Sequence, residues 1–207
     1  VPLVVHPLPV INLNPSSASI CIGDSTTIYA SGAFTYSWTP TASINPSTGS
    51  IISAFPPLTT QYSVIGIDTN GCENSNTTTV TVHQLPNAQV SPSIDTICDG
   101  DSTYLSATGG ISYVWSPTTG LTFTTPSNCY ANPSVSSTYT VTVTDINNCS
   151  NVTSSNVVGM ANPSIQLLTS NLGICQGDSA LLTVQSNQQL QSYLWSTGGT
   201  SSTYYAS

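Results

Sequence analysis

The stretch Tyr139-Thr140-Val141-Thr142-Val143-Thr144-Asp145 alternates apolar and hydroxylated side chains with a period of two. Because successive side chains of a β-strand point to opposite faces, this pattern predicts a strand with one face in a core and the other lined by threonine. Helical periodicity is absent from the chain, and Gly-Asp, Gly-Gly, Asn-Gly and Asn-Pro pairs separate such stretches as turns. The sequence therefore predicts an all-β fold.

The same elements recur along the chain with a period of 77 residues. Cys21, Cys98 and Cys175 are spaced by 98 − 21 = 77 and 175 − 98 = 77, and each opens a Cys-x-Gly-Asp-Ser motif. Trp38 and Trp115 keep the same spacing, since 115 − 38 = 77. A repeat this regular predicts a tandem array of equivalent units.

The phase of the repeat predicts where the units begin and end. We expect residues 1–9 to be the last strand of a preceding copy, residues 10–86 and 87–163 to be full copies, and residues 164–207 to be the N-terminal half of a further copy. A window cut from a longer array would start and stop within repeats in this way. Each copy is long enough for a β-sandwich of six or seven short strands in two antiparallel sheets.

Pairs of apolar residues two positions apart identify the inward faces of these strands. Tyr36 and Trp38 share a face, and tryptophan is suited to fill the space between two sheets. The other expected inward pairs are Ile28 with Ala30, Leu105 with Ala107, and Val80 with Val82 on the closing strand.

Composition excludes several classes of function. The 207 residues contain no Lys or Arg and eight acids, which gives a formal charge of −8. Without cations the chain cannot neutralise nucleic-acid phosphates, clamp a phosphate or bind a membrane surface as a basic helix. No apolar run reaches the roughly 18 residues of a membrane-spanning helix, and no signal peptide opens the chain. We therefore expect neither a nucleic-acid partner nor membrane insertion.

The motifs resemble those of a known family. Cys-x-Gly-Asp-Ser, then Tyr-x-Trp, then Tyr139-Thr-Val-Thr-Val-Thr-Asp-x-Asn-x-Cys149 resemble the Ig-like and PKD-like repeats of large secreted surface proteins of Bacteroidetes, including gliding-type adhesins. The chain differs from such repeats in lacking Lys and Arg and in carrying an additional cysteine, Cys129. The resemblance implies tandem Ig-like or PKD-like sandwiches in an extracellular, cell-surface array, and it implies no catalytic residue.

The cysteines predict disulfides in an oxidising compartment. The favoured pairing is Cys21 with Cys72 and Cys98 with Cys149, which closes loops of about 51 residues worth roughly 4 kcal/mol each. Cys175 then pairs with a cysteine outside the chain. The alternative is that the paired positions lie at opposite ends of a sandwich, in which case neighbouring units are joined, for example Cys21 to Cys149. Cys129 occupies the phase of Ile52 and is expected to be a small buried apolar residue.

No constellation for catalysis or metal binding emerges from the remaining polar residues. His6 and His83 occupy equivalent positions of successive repeats, but the next equivalent position is Met160. We therefore interpret the two histidines as structural residues. Asp24 and its equivalents are expected to cap their turns through the carboxylate, and Asp68 and Asp145 to form turns rather than Ca²⁺ loops. We expect no cofactor, no metal site and no enzyme activity.

Four hydroxyl residues follow an aspartate in the Asp-(Ser/Thr)-(small or aliphatic) sequon that Bacteroidetes use for O-glycosylation. They are Ser25, Thr96, Ser102 and Ser179. Attached glycans would solvate a surface in which only 4% of residues are charged. The alternative is that Gly-Asp-Ser is only a turn motif.

Together these patterns favour a structural or adhesive protein, a rod or filament of Ig-like domains displayed on or shed from a bacterial surface. Its expected partners are neighbouring repeats, further copies of itself and a glycan or surface ligand. The alternative is a spacer or carbohydrate-binding module of a secreted polysaccharide-degrading enzyme. Such a module would expose coplanar aromatic rings, for example around Tyr204-Tyr205, Tyr29 or Tyr104.

Overall fold

A computed structural model describes residues 2–207, which contain strands and turns and no helix. Accordingly, no helix within this range is long and apolar enough to cross a membrane. The strands form two complete β-sandwiches followed by a single three-stranded sheet. The all-β prediction is confirmed.

The first sandwich contains eight strands. They are β1 (Asn12–Asn14), β2 (Ser17–Cys21), β3 (Thr26–Ser31), β4 (Thr35–Thr39), β5 (Ile44–Asn45), β6 (Ile51–Ala54), β7 (Thr60–Ile67) and β8 (Glu73–His83). One sheet has the order β1-β3-β6-β5 and the other β2-β8-β7-β4. In immunoglobulin lettering these orders are A-B-E-D and A′-G-F-C, so the unit is an Ig-like sandwich.

The second sandwich repeats this arrangement strand for strand. Its strands are β9 (Gln89–Ser91), β10 (Ile94–Cys98), β11 (Thr103–Thr108), β12 (Ser112–Ser116), β13 (Leu121–Thr125), β14 (Asn128–Ala131), β15 (Ser137–Thr144) and β16 (Ser150–Met160). Its sheets have the orders β9-β11-β14-β13 and β10-β16-β15-β12. Neighbouring copies of the repeat therefore have the same topology.

One strand pair in each sandwich departs from the antiparallel arrangement expected from the sequence. Strand β2 pairs with β8 in parallel, with Cys21 opposite His83. Strand β10 pairs with β16 in the same way, with Cys98 opposite Met160. The A′ strand thus runs in the same direction as the closing G strand, toward the end of the sandwich that leads to the next unit.

The cores lie between the paired sheets and contain the residues that the alternation predicts. Tyr139, Val141 and Val143 are fully buried on one face of β15, and the threonines between them are partly exposed. The expected inward pairs on β3, β4 and β11 are also buried. Val80 is fully buried in β8, and Val82 packs at the margin of the core.

The third segment forms one sheet from β17 (Ile165–Thr169), β18 (Ala180–Ser186) and β19 (Thr203–Ala206). Ala180 pairs with Ala206, as Thr103 pairs with Ala131 in the second sandwich. Strands β18 and β19 therefore correspond to β11 and β14. Leu182 and Val184, which face inward by this correspondence, are only partly buried because no second sheet covers them within residues 2–207.

Candidate functional site

The chemically most distinctive part of the molecule is the junction between the two sandwiches. Strand β2 ends there at Cys21 and β8 ends there at His83. The turn between β15 and β16 of the second sandwich faces this end and carries Cys149. A disulfide joins Cys21 to Cys149, with 5.6 Å between their Cα atoms.

This bond shows that the favoured pairing within each repeat is wrong. Cys21 is bonded to Cys149 rather than Cys72, and both Cys72 and Cys98 are free thiols. The joining of neighbouring units, which the sequence left open as the alternative, is the arrangement in the structure.

Strand direction is the physical reason why the two cysteines of one repeat cannot meet. Cys21 lies opposite His83, at the end of β8, whereas Cys72 lies just before its beginning. The separation along this strand is 83 − 72 = 11 residues, roughly 36 Å at the rise of an extended chain. A disulfide requires Cα atoms within about 7 Å. The same argument separates Cys98 from Cys149.

An aspartate holds the turn that presents Cys149. The Asp145 carboxylate accepts hydrogen bonds from the backbone amides of Asn147 and Cys149, both at 2.9 Å. The Asp145 amide in turn donates to the Cys149 carbonyl at 2.9 Å. Asn148 adopts a positive φ of 64°, a conformation that asparagine tolerates better than most residues. These bonds agree with the turn role expected for this aspartate.

The equivalent turn of the first sandwich has the same construction around a free cysteine. The Asp68 carboxylate accepts bonds from the amides of Asn70 and Cys72 at 2.8 and 2.9 Å. Desolvation raises the pKa of the Asp68 carboxyl, but the bonds from the Cys72 and Asn70 amides outweigh it and hold the pKa below its ordinary value. The charged, hydrogen-bond-accepting form of Asp68 is therefore favoured.

The turn that follows Cys21 is closed by backbone rather than by a carboxylate. The amide of Asp24 donates to the Cys21 carbonyl at 3.0 Å, and Gly23 supplies the required positive φ of 95°. Asp101 and Asp178 donate in the same way to Cys98 and Cys175. The carboxylate cap expected for these aspartates is not among the hydrogen bonds of residues 2–207, and a backbone bond closes each of the three turns.

A side-chain amide fastens the linker between the sandwiches. The Asn151 Nδ2 donates to the Pro86 carbonyl at 3.1 Å. The linker also lies against Gly109, where an added Cβ would come within 2.1 Å of the Asn87 carbonyl oxygen. Asn74 binds the Pro9 carbonyl at 2.9 Å, so the same clamp occurs one repeat earlier. Sequence reasoning missed both asparagines, although their spacing of 151 − 74 = 77 could have revealed them.

An open cleft of about 830 Å³ lies between the two sandwiches beside the disulfide. Its lining includes His83, Ser25 and Asn148. The His83 Nε2 and Ser19 Oγ lie 3.0 Å apart, within hydrogen-bonding distance. No group of three metal-ligating side chains occurs in the part of the chain that the structure describes.

The candidate glycosylation positions are all accessible. The four hydroxyl residues are exposed to solvent: Ser25, Thr96, Ser102 and Ser179. The aspartate before Thr96 differs from the others, because the Thr103 hydroxyl donates a hydrogen bond to it. That bond, with one from the Thr96 amide, lowers the pKa of Asp95.

The candidate sugar-stacking aromatics do not form a flat platform. Tyr29 and Tyr104 are about half exposed and Tyr205 more so. Tyr104 packs against Tyr130 with its ring tilted by 59°, and Tyr204 is partly covered by Trp195 at a centroid distance of 5.4 Å.

The fourth free thiol differs from the other three. Cys129 is fully buried in the second core, and burial raises its pKa to about 11. Cys72 is half-buried, and Cys98 and Cys175 are exposed.

Comparisons with known proteins bear on the fold alone. No protein-family model and no curated protein matches the chain. Among solved structures, a three-Ig fragment of titin is 15% identical, covers 91% of this chain and 79% of its own, and has a TM-score of 0.48. The insect immune protein hemolin is 15% identical over 74% of this chain and 47% of its own, with a TM-score of 0.38. Eight Ig domains of Down Syndrome Cell Adhesion Molecule are 13% identical over 86% and 32%, with a TM-score of 0.39. The Ig-like assignment follows from the strand order described above.

Proposed function

We propose that this chain is part of an extracellular structural or adhesive protein, a rod or filament of tandem Ig-like domains with no catalytic site. The single observation that supports this best is the junction, where a disulfide and an asparagine clamp restrain one sandwich against the next. Two restraints on a five-residue linker oppose free rotation of the domains. A disulfide also suits an oxidising, extracellular location.

The finer parts of the proposal rest on the sequence motifs. We infer display on, or shedding from, a bacterial surface from the resemblance to Bacteroidetes surface repeats, including their PKD-like members. We infer unit boundaries at 1–9, 10–86, 87–163 and 164–207 from the repeat phase. Cys175 has the phase of Cys21, so we expect it to bond to a cysteine in a further repeat outside this chain.

Small-angle X-ray scattering tests the rod. We expect a maximum dimension of at least roughly 70 Å for two sandwiches placed end to end, since each holds an 11-residue strand of about 36 Å. The Cys149→Ser variant should scatter as a more flexible particle, whereas Cys72→Ser should match the parent chain. A compact particle in which the sandwiches lie side by side would contradict the rod.

Glycosylation and self-association are separate proposals with separate tests. Glycans at Ser25, Thr96, Ser102 or Ser179 would raise the intact mass of the natively produced protein above 21.5 kDa. A mass equal to the bare polypeptide would reject them. Weak charge repulsion and exposed strand edges favour filaments. Electron microscopy that shows only dispersed particles at high concentration would reject filaments.

The enzyme-spacer alternative makes a different prediction. A carbohydrate-binding module would retain polysaccharide through Tyr29, Tyr104 or Tyr205 and would lose it on substitution by alanine. The tilted packing of Tyr104 on Tyr130 does not favour this alternative.

A further inference from the structure

The disulfide joins the end of one extended strand to the start of another. Cys21 is the last residue of β2, and Cys149 immediately precedes β16. Strand β2 runs toward the junction, because Cys21 lies opposite His83 where the linker begins. Strand β16 runs away from the junction, because Asn151 near its start contacts the linker and Met160 ends it beside Cys98 at the far end.

We propose that this arrangement is a tension bypass, a covalent path that carries a pulling force through the array along a few extended strands, so that the chain between the two cysteines carries none of it. A force applied at the two ends of the chain passes along β1 and β2, crosses the Cys21–Cys149 bond and continues along β16. The residues between the two cysteines lie off this path. They include β3 to β8 and β9 to β15.

The path has little slack because its main segments are already extended. A β-strand rises about 3.3 Å per residue, and a fully stretched chain reaches at most about 3.6 Å. The 11 residues of β16 therefore lengthen by only about a tenth when pulled taut. Without the disulfide, the same force would have to pass through both sandwiches and could unfold them one after the other.

The bypass concerns the path of force and does not depend on an adhesive role or a bacterial surface. A loss of adhesion would therefore leave it intact. It does depend on the disulfide, which non-reducing peptide mapping of the 207-residue chain measures directly. Finding Cys21 bonded to Cys72, or finding it as a free thiol in an oxidised sample, would overturn the proposal.

Single-molecule pulling on the whole chain from its two ends tests the mechanism. Under oxidising conditions we expect no unfolding step from either sandwich. Reduction should allow the chain between the two cysteines, which are 128 residues apart, to extend. We expect this to add roughly 400 Å of contour length in two steps, one for each sandwich. The third segment contributes equally in both conditions, so the difference belongs to the two sandwiches. Equal contour gains before and after reduction would overturn the bypass.

A matched pair of variants completes the test. Cys149→Ser should behave like the reduced chain even under oxidising conditions, and Cys72→Ser should behave like the oxidised parent. The two cysteines occupy equivalent turns, so a nonspecific effect of serine would change both variants alike. If Cys149→Ser fails to fold, reduction of the parent molecule during pulling provides the same comparison without a substitution.

Discussion

The two sandwiches share every strand position but differ around their central tryptophan. In the first, the Trp38 Nε1 donates to the Gly49 carbonyl at 3.0 Å, and the Gly49 amide donates to Tyr36 at 3.0 Å. In the second, the Trp115 Nε1 is buried and has no partner among residues 2–207. The two sandwiches thus have the same strand order but differ in the hydrogen bonding of the central indole.

The cause lies in the D strand, which is β5 in the first sandwich and β13 in the second and forms the edge of the A-B-E-D sheet. In the first sandwich β5 has only two residues, and the segment after it folds back so that the Ser47 carbonyl accepts a bond from the Trp38 amide. In the second, β13 has five residues and pairs along β14. That segment is used in sheet pairing and presents no carbonyl to the indole. The length and pairing of an edge strand can therefore differ between copies, while the core strands keep their 77-residue spacing.

The largest expected effect comes from the cysteines in equivalent turns. Cys149→Ser removes a bond that closes a 128-residue separation, worth about 5 kcal/mol in the chain-entropy model. Cys72→Ser removes a free thiol and should change stability by less than about 0.5 kcal/mol. Denaturant unfolding of the two variants under oxidising conditions measures the difference. Similar losses of stability in both variants would show that the disulfide contributes nothing beyond what the free thiol contributes.

The tryptophans provide the next largest contrast. Trp38→Phe leaves the Gly49 carbonyl without its donor, whereas Trp115→Phe removes a donor that is already unsatisfied. We expect the first substitution to cost about 1–2 kcal/mol more than the second, although both remove similar volume. Urea unfolding followed separately for each sandwich checks this order. Equal costs would mean that the indole hydrogen bond contributes nothing measurable.

A smaller contrast is expected for the buried tyrosines of the F strands. The Tyr139 hydroxyl donates to the Thr119 carbonyl at 3.0 Å, whereas Tyr62 donates to Ser43 at a longer 3.4 Å. Tyr139→Phe should cost about 1 kcal/mol and Tyr62→Phe less. Burial raises the pKa of both tyrosines above the ordinary value of 10.0. The folded state is therefore stabilised by keeping the two hydroxyls protonated, and this stabilisation is present below pH 10.0 and is lost as pH rises above it. Thermal unfolding of both variants at neutral pH, and of the parent chain across the alkaline range, measures these effects.

The smallest effect concerns a buried thiol that replaces an aliphatic side chain. Cys129 occupies the position of Ile52, and its raised pKa of about 11 leaves almost no thiolate near neutrality. Iodoacetamide should modify Cys98 and Cys175 in the native protein and leave Cys129 unmodified until the chain unfolds. Mass spectrometry of the alkylated protein reads this directly. Native modification of Cys129 at the rate of Cys98 would show that the second core opens readily.

Most of the fold was predictable from local pattern. The alternation around Val141 placed a strand and its buried face, because successive side chains of an extended chain point to opposite faces. The spacing of Trp38 and Trp115 placed equivalent cores, because the 77-residue repeat places the same residue at the same position of each unit. The parallel A′ strand was not predictable, since alternation is the same in either direction. The asparagine clamp could have been predicted, because Asn74 and Asn151 are separated by one repeat of 77 residues.

Which cysteines pair is the feature that residue order leaves open. In a periodic chain, Cys149 has the same phase relation to Cys98 and to Cys21, so spacing cannot distinguish a bond within a unit from one between units. The folded molecule resolves this through distance. Strand β8 holds Cys72 and Cys21 at opposite ends of one sandwich, and end-to-end packing brings Cys149 to Cys21. Periodicity is encoded locally, whereas proximity depends on strand direction and on how neighbouring units meet.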